Sequence, residues 1–490
     1  MAGMDSSSFT STATTTLAAA QRRTLRALSG AQLVAALGLA AATSGSLLAR
    51  HITGSDGAGG LPLAAVSLGS ALTVLLIGPL MDRGGRRPGL TAALVLGSLG
   101  AAAAVVASAA ASLALLLAGC VLFGSANAAI MFARYAAADL SVPAARGRSI
   151  GLVVFAAALG VVAGPNLLAP AAPLARALGL PDAAGLFVLA VLAFAAAAAV
   201  LTVMLRPDPL ILRRQVVGAG APAALGALGP RAWLDLLRIV GMRPAFATLA
   251  AANLVMVGVM ALVPLHLAHN GHSLAAIGVL VSVHTAAMFA PAPLTGWMVD
   301  RLGPAVTGAA GAVLLGGAGL LGATVSPAGH LGPAAVLFLL GLGWNAALVA
   351  GSAMVAAAAP ERGRAQAEAG GEIAMALAAA IGAAAAGWLI DAGGFPLVSI
   401  AAGGVSGLLL VTLFGGAGGG TRKPMWPRSG RRRLTVSCDS EKRGILTRTS
   451  PSPTASSASG SSGTCSPPVG VGGRAGLQRA ASRSGSWRSS

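Results

Sequence analysis

Charge is scarce in this chain of 490 residues. Asp, Glu, Lys and Arg make up 10% of it, and lysine occurs only at Lys423 and Lys442. Soluble domains are roughly a quarter charged, so a water-soluble globule of this length is excluded. With 55% hydrophobic residues, the class left is a polytopic membrane protein. Cysteine is also rare. Cys120, Cys438 and Cys465 form neither a CxxC pair nor an even framework, which argues against a disulfide scaffold or a thiolate metal site. Neither lysine follows a glycine, so the phosphate-binding loop of an ATP-driven pump is missing. No HExxH or Cys-His zinc pattern and no constellation for covalent catalysis is present, so we expect no enzyme and no cofactor. The first 24 residues are rich in Ser and Thr and lack the basic-then-apolar order of a cleaved signal peptide.

What is abundant is apolar sequence in long runs. A helix crossing lipid needs about 20 mostly apolar residues, and twelve such runs occur, near 27–49, 59–80, 90–108, 111–133, 149–171, 184–205, 244–267, 274–298, 304–325, 331–353, 366–390 and 395–415. Lipid cannot satisfy exposed backbone groups, so these runs read as helices. Basic residues test the count. With the N-terminus cytoplasmic, 31 of the 33 Lys and Arg fall on the inner side, and only Arg50 and Arg176 fall outside. The positive-inside rule thus supports twelve helices with both ends in the cytoplasm. Expected domains are a disordered N-terminus (1–26), a six-helix bundle (27–205), a cytoplasmic linker (206–243), a second six-helix bundle (244–415) and a disordered basic tail (416–490). The tail carries 13 basic and 2 acidic residues, a large part of the net charge of +19. Anionic lipid headgroups would attract it, but a solvated tail is the simpler expectation.

The two halves repeat each other. Gly78-Pro-Leu-Met-Asp82-Arg83-Gly-Gly85 follows helix 2, and Gly296-Trp-Met-Val-Asp300-Arg301-Leu-Gly303 follows helix 8. Likewise, Arg146-Gly147-Arg148 precedes helix 5, and Arg362-Gly363-Arg364 precedes helix 11. Parallel six-helix repeats place a ligand site between the halves, near the bilayer midplane. A carboxylate at Asp82, where a cytoplasmic loop meets helix ends, can pair with neighbouring arginines and with a facing helix N-terminus. Such a latch would stabilise one of two gate states.

These motifs resemble those of the Major Facilitator Superfamily. Gly78, Asp82, Arg83, Gly85, Arg86 and Arg87, with Leu90, match that superfamily's loop signature between helices 2 and 3. The second copy keeps Gly296, Asp300, Arg301 and Gly303 but has Pro304 and Ala305 in place of the basic pair. Helix 5 is similar to the signature of the drug:proton antiporter branch at Gly151, Gly160, Gly164 and Pro165, although Leu168 and Ala169 replace its closing glycines. That branch's helix 4 arginine would fall at Cys120, and it is missing. The resemblance implies an all-α membrane fold of twelve helices in two parallel repeats. It also implies that helices 3, 6, 9 and 12 face lipid while the rest line a cavity.

Polar residues within the runs agree with that division. Gln32, Asn127, Arg134, Asn166, Asn253, His284, Asn345, Glu368 and Glu372 all fall in other helices, and helices 3, 6, 9 and 12 carry no Asn, Gln, His or charged residue. Intramembrane polar groups are expensive and tend to face a cavity. His284 falls about 15 Å into helix 8 at 1.5 Å per residue. It could carry a proton, or it could be a neutral side chain bonded to a carbonyl. Glu368 and Glu372 share one face of helix 11; Glu372, the deeper, is a candidate for proton exchange, with pairing to Arg364 the plainer alternative. A carboxylate facing the cavity would favour cationic substrates. Trp344, beside Asn345, could line the site. His266, His269 and His272 cluster at the outer end of helix 7, but no carboxylate is near, and we expect no metal site.

The expectation is a multi-pass secondary transporter of a bacterial cell membrane, working as a monomer in the lipid bilayer on a small-molecule substrate, with the proton as coupling ion and no nucleic-acid partner. Efflux of an amphipathic or drug-like solute leads, and uptake of a metabolite is the alternative. A non-transporting scaffold that uses the basic tail is a third possibility, disfavoured by intact motifs in both halves.

Overall fold

The computed structural model describes residues 6–54, 58, 61–163, 167–217, 230–260, 263, 266–267, 270–326, 329–361 and 363–414. The chain divides into Met1–Gly430, which holds every described helix, and Arg431–Ser490. The expected disordered tail lies outside the described residues, and the last helix ends at Phe414. No strand occurs among the described residues.

The first span, α1, comprises Ser6–Leu39 and, after a break at Ala40, Ala41–Thr53. Then follow α2 (Leu61–Gly84), α3 (Arg86–Ala109), α4 (Leu113–Ala138), α5 (Arg146–Ala163) and α6 (Gly185–Met204). A short helix, Leu168–Ala177, lies between α5 and α6. The second half contains α7 (Met242–Met260), α8 (Leu274–Phe289 with Ala292–Leu302), α9 (Pro304–Thr324), α10 (Leu331–Ala358), α11 (Arg364–Ile390) and α12 (Ala392–Phe414). Eleven of these crossings are long and apolar enough to span a bilayer outright, and the broken α1 supplies the twelfth. Each coincides with one of the twelve runs.

Local chemistry sets the boundaries. Ser112 and Ser273 cap α4 and α8 by accepting the backbone N–H groups of Leu115 and Ala276. Gly85 and Gly303 occupy the same place in the repeated loop motif, with φ of 92° and 91°. An L side chain is disfavoured there, so the motif needs glycine to turn α2 into α3 and α8 into α9.

One expectation changes. The N-terminal stretch is helical from Ser6 rather than disordered. Its Gln21 amide donates to the Ala137 carbonyl and to Ser141, at 2.8 Å each, which ties the extension of α1 to the end of α4. The linker segment contains helices at Pro209–Val217 and Pro230–Arg238.

In the first half, α1 packs on α5 and α6, and α3 packs on α4 and α6. In the second half, α7 packs on α11, and α9 packs on α10 and α12. The halves meet where α2 crosses α11 and α5 crosses α8. Glycines permit this approach. A Cβ on Gly78 would lie 3.1 Å from that of Ala369, and Gly147 and Gly296 press backbone to backbone, each with room for no side chain.

Candidate functional site

The two loop carboxylates are bound in the same way. Asp82, at the end of α2, accepts the backbone N–H groups of Ala365 and Gln366 at the start of α11, at 3.1 Å each. Asp300, at the end of α8, accepts those of Gly147 and Arg148 at the start of α5, at 2.7 and 3.0 Å. A helix N-terminus presents unpaired N–H groups and a positive dipole end, so each carboxylate caps a helix of the opposite half. The contact is thus pseudo-symmetric: Asp300 holds Gly147 and Arg148 of the first Arg-Gly-Arg, and Asp82 holds Ala365 and Gln366, the two residues that follow the second. Arg148 adds a charged bond to Asp300 at 3.0 Å, from an exposed position.

The arginines of the first loop do not play the part expected of them. Asp82 is paired not by its sequence neighbours but by Arg214 of the linker, at 3.0 Å. Arg83 is exposed, and Arg301 lies over the Trp297 ring. Arg86 turns inward and is fully buried. It holds Asp139 through two bonds of 2.8 and 3.1 Å and reaches Glu368 on α11 at 2.6 Å. Arg364 closes the group, at 3.2 Å from Asp139 and 3.4 Å from Glu368. Arg86 and Arg364 thus face Asp139 and Glu368 in one buried cluster, opposite charges in contact, the condition under which buried ions are tolerated. Burial alone would push Asp139 up, but Arg86, Arg364 and Arg213 hold it below its ordinary value. Burial also opposes ionisation of Glu361, in the loop before α11, and Arg213 holds it low.

Deeper in the membrane, α4 and α11 are joined by one ion pair. Arg134 binds Glu372, and the same guanidinium donates to Ser352 of α10 at 2.8 Å and to the Met131 carbonyl. The Arg134 guanidinium also stacks on Tyr135. Glu372 is eight residues into α11, about 12 Å from its start. A cavity lies beside this pair, lined by Gln32, Ile130, Met131, Arg134, Val154, Ala157, Phe289 and Leu348. These come from α1, α4, α5, α8 and α10, none of them from the four helices expected to face lipid. The wall is apolar apart from Gln32, whose amide donates to the Ile130 carbonyl at 2.8 Å, and the Arg134 head. Glu372 is not part of this wall; it backs Arg134 as its counter-charge, which removes the basis for a cationic preference.

The other polar candidates bond to backbone carbonyls and to neighbouring side chains. His284 is buried, with Nδ1 2.9 Å from the Leu337 carbonyl, and fastens α8 to α10. Asn345 is fully buried, accepting from Thr295 at 2.6 Å and donating to the Met288 carbonyl at 2.7 Å. Asn127 donates to Ser70 at 3.1 Å. Asn253 donates to the Met375 carbonyl at 3.2 Å and accepts the Trp344 indole N–H at 2.7 Å. Trp344 in turn meets Phe289, a cavity residue, edge to face. In α5, Gly151 and Gly160 lie against the backbone of Ala292 and Leu37, so helix packing accounts for both; Gly164 and Pro165 lie outside the described residues. His266 stacks on Phe395, His272 contacts His330 at 3.1 Å, and His269 lies outside the described residues. No group of three or more metal-ligating side chains assembles among the described residues.

Sequence reasoning placed Arg134 among the intramembrane polar residues without a partner and gave no role to Asp139, Arg213 or Arg214. Their signal was faint. A basic residue near a cytoplasmic helix end looks the same whether it snorkels to the headgroups or turns inward.

Comparison with known proteins agrees with this architecture. The chain matches the family model of the Major Facilitator Superfamily over residues 27–347 and 269–451. It is 34% identical over 392 residues to the uncharacterized MFS-type transporter YdeG of Bacillus subtilis, covering 80% of this chain and 90% of that one. It is 30% identical over 334 residues to the riboflavin transporter RfnT of Brucella anthropi, covering 66% of this chain and 78% of that one. Among solved structures it resembles the human organic anion transporter MFSD10, with a TM-score of 0.65 at 20% identity over 80% of this chain and 99% of that one. It also resembles the proton:xylose symporter XylE, with a TM-score of 0.61 at 14% identity over 81% and 96%. With twelve helices in two six-helix repeats, capped across their interface by Asp82 and Asp300, this chain belongs to the Major Facilitator Superfamily of transporters.

Proposed function

We propose that the chain is a secondary active transporter of the cell membrane that works by alternating access and exports a small amphipathic solute in exchange for protons. The observation that carries this reading is the Arg134–Glu372 pair, which bridges the halves at the edge of an apolar cavity. A proton reaching Glu372 removes the charge that Arg134 holds, and the bond between α4 and α11 weakens. Arg134 keeps its proton throughout, so the coupling role at this pair falls to Glu372. The apolar wall of Ile130, Met131, Val154, Phe289 and Leu348 suits a hydrophobic body, and the Arg134 head suits a polar substituent. The protein acts as a monomer and needs no cofactor.

Dye accumulation in cells stripped of their own efflux pumps tests this. Cells expressing the protein should hold less of at least one neutral or zwitterionic dye, and a protonophore should abolish the difference. Unchanged accumulation across the panel would refute export. One observation favours a second reading, proton-driven uptake of a planar metabolite. A relative with 30% identity is named a riboflavin transporter, and Trp344 and Phe289 supply aromatic surface beside the cavity. Riboflavin uptake by a strain that cannot make it would decide for that reading.

A further inference from the structure

The linker helix Pro209–Val217 touches both halves at their cytoplasmic ends. It is seated on the first half by Asp208. One carboxylate oxygen of Asp208 accepts the Arg87 backbone N–H at 2.7 Å, while the other caps the linker helix itself through Leu210 at 3.0 Å. A Cβ on Gly85 would lie 2.5 Å from this carboxylate, so the bare backbone of the loop motif is also the seat of the linker. Arg214 then grips Asp82 through both its carboxylate and its carbonyl, and that same carboxylate caps α11. Arg213 donates to the Asp139 carbonyl at 2.7 Å, at the end of α4, and pairs with Glu361 of the second half, with Nε 2.9 Å from the carboxylate.

The pseudo-symmetric contact at Asp300 has a different support. Its arginine, Arg148, comes from the helix that Asp300 caps and is largely exposed. Only the Asp82 side, among the described residues, is braced by a separate element. We propose that this linker helix is a clasp for the cytoplasm-closed state. Its attachment to α3 through Asp208 stays within one half, so it persists when the halves part. The Arg213–Glu361 bond spans the halves, so it must break each time the cytoplasmic side opens. Arg213 is thereby a positioning residue for the gate rather than a group that meets the solute.

This inference rests on the alternating-access reading, and the test separates the two. Spin labels go on Val142→Cys and Val306→Cys, exposed positions near the cytoplasmic ends of the two halves, in the full-length chain with Cys438 and Cys465 changed to Ser. Distances are measured by pulsed electron resonance in lipid nanodiscs without substrate. The unmodified clasp should give a dominant short distance and a minor long one. Glu361→Ala and Arg213→Ala should each raise the long-distance fraction relative to the short one about fivefold, and the double variant should raise it no further than the stronger single one. Glu361→Ala removes a half-buried loop side chain, so it folds even if Arg213→Ala does not. Two populations in the parent that neither single variant shifts would overturn the clasp and leave alternating access standing, as would additive effects in the double variant. One short distance in every variant would overturn both.

Discussion

Converting Glu372 to Met leaves Arg134 buried at the cavity edge without its counter-charge. Removing one partner of a buried ion pair costs about 3–5 kcal/mol, whereas replacing both with apolar residues can be neutral or stabilising. Arg134 keeps its bonds to Ser352 and the Met131 carbonyl, so we place Glu372→Met at the lower end, about 3 kcal/mol. The converse change, Arg134→Met, should cost less, because a stranded carboxylate can take up a proton whereas a guanidinium cannot. The double change should recover most of the loss, giving a coupling energy of about 2 kcal/mol or more. Thermal and denaturant melts of purified protein in one detergent, run on all four forms, measure this. An additive cycle, or Arg134→Met more damaging than Glu372→Met, would refute the claim that this pair is the dominant interaction at the site.

Other outcomes follow from the same geometry. Asp82→Asn should slow transport by about tenfold or more, and Asp300→Asn by less, because Asp82 also holds the Arg214 guanidinium in a buried setting and Asp300 leans on an exposed Arg148; initial transport rates in vesicles check the order. His284→Leu should leave the pH profile of transport unmoved and lower stability by about 1 kcal/mol, the worth of one hydrogen bond; a shifted profile would return His284 to the coupling machinery. Asp139 and Glu361 are held below their ordinary values by arginines, so their contribution to cytoplasmic closure persists at neutral pH and is lost only as pH falls through those lowered values.

The twelve crossings could be read from sequence because hydrophobic length and basic residues register bilayer and sidedness directly. The duplication itself was legible too, since two motifs recur at nearly the same spacing, as a duplicated six-helix unit would place them. Partner identity was not legible. Asp82 meets a helix start 283 residues away, and whether Arg86 faces headgroups or Glu368 depends on helix rotation that composition does not record. His284 and Asn345 stood out because they are polar in an apolar run, yet a buried polar group bonded to a backbone carbonyl gives the same signal as a cavity group. The linker showed only arginine, glycine and proline, while its function lies in which half each arginine touches.

The central claim is that proton movement is tied to solute movement through Glu372. The most direct test is proton flux in proteoliposomes carrying an internal pH dye, driven by an outward gradient of a dye that the expressing cells export. The account predicts acid entry that requires the solute gradient in the native protein, and loss of that entry in Glu372→Gln while the solute still exchanges across the membrane. Solute-driven proton entry of equal size in Glu372→Gln would contradict it.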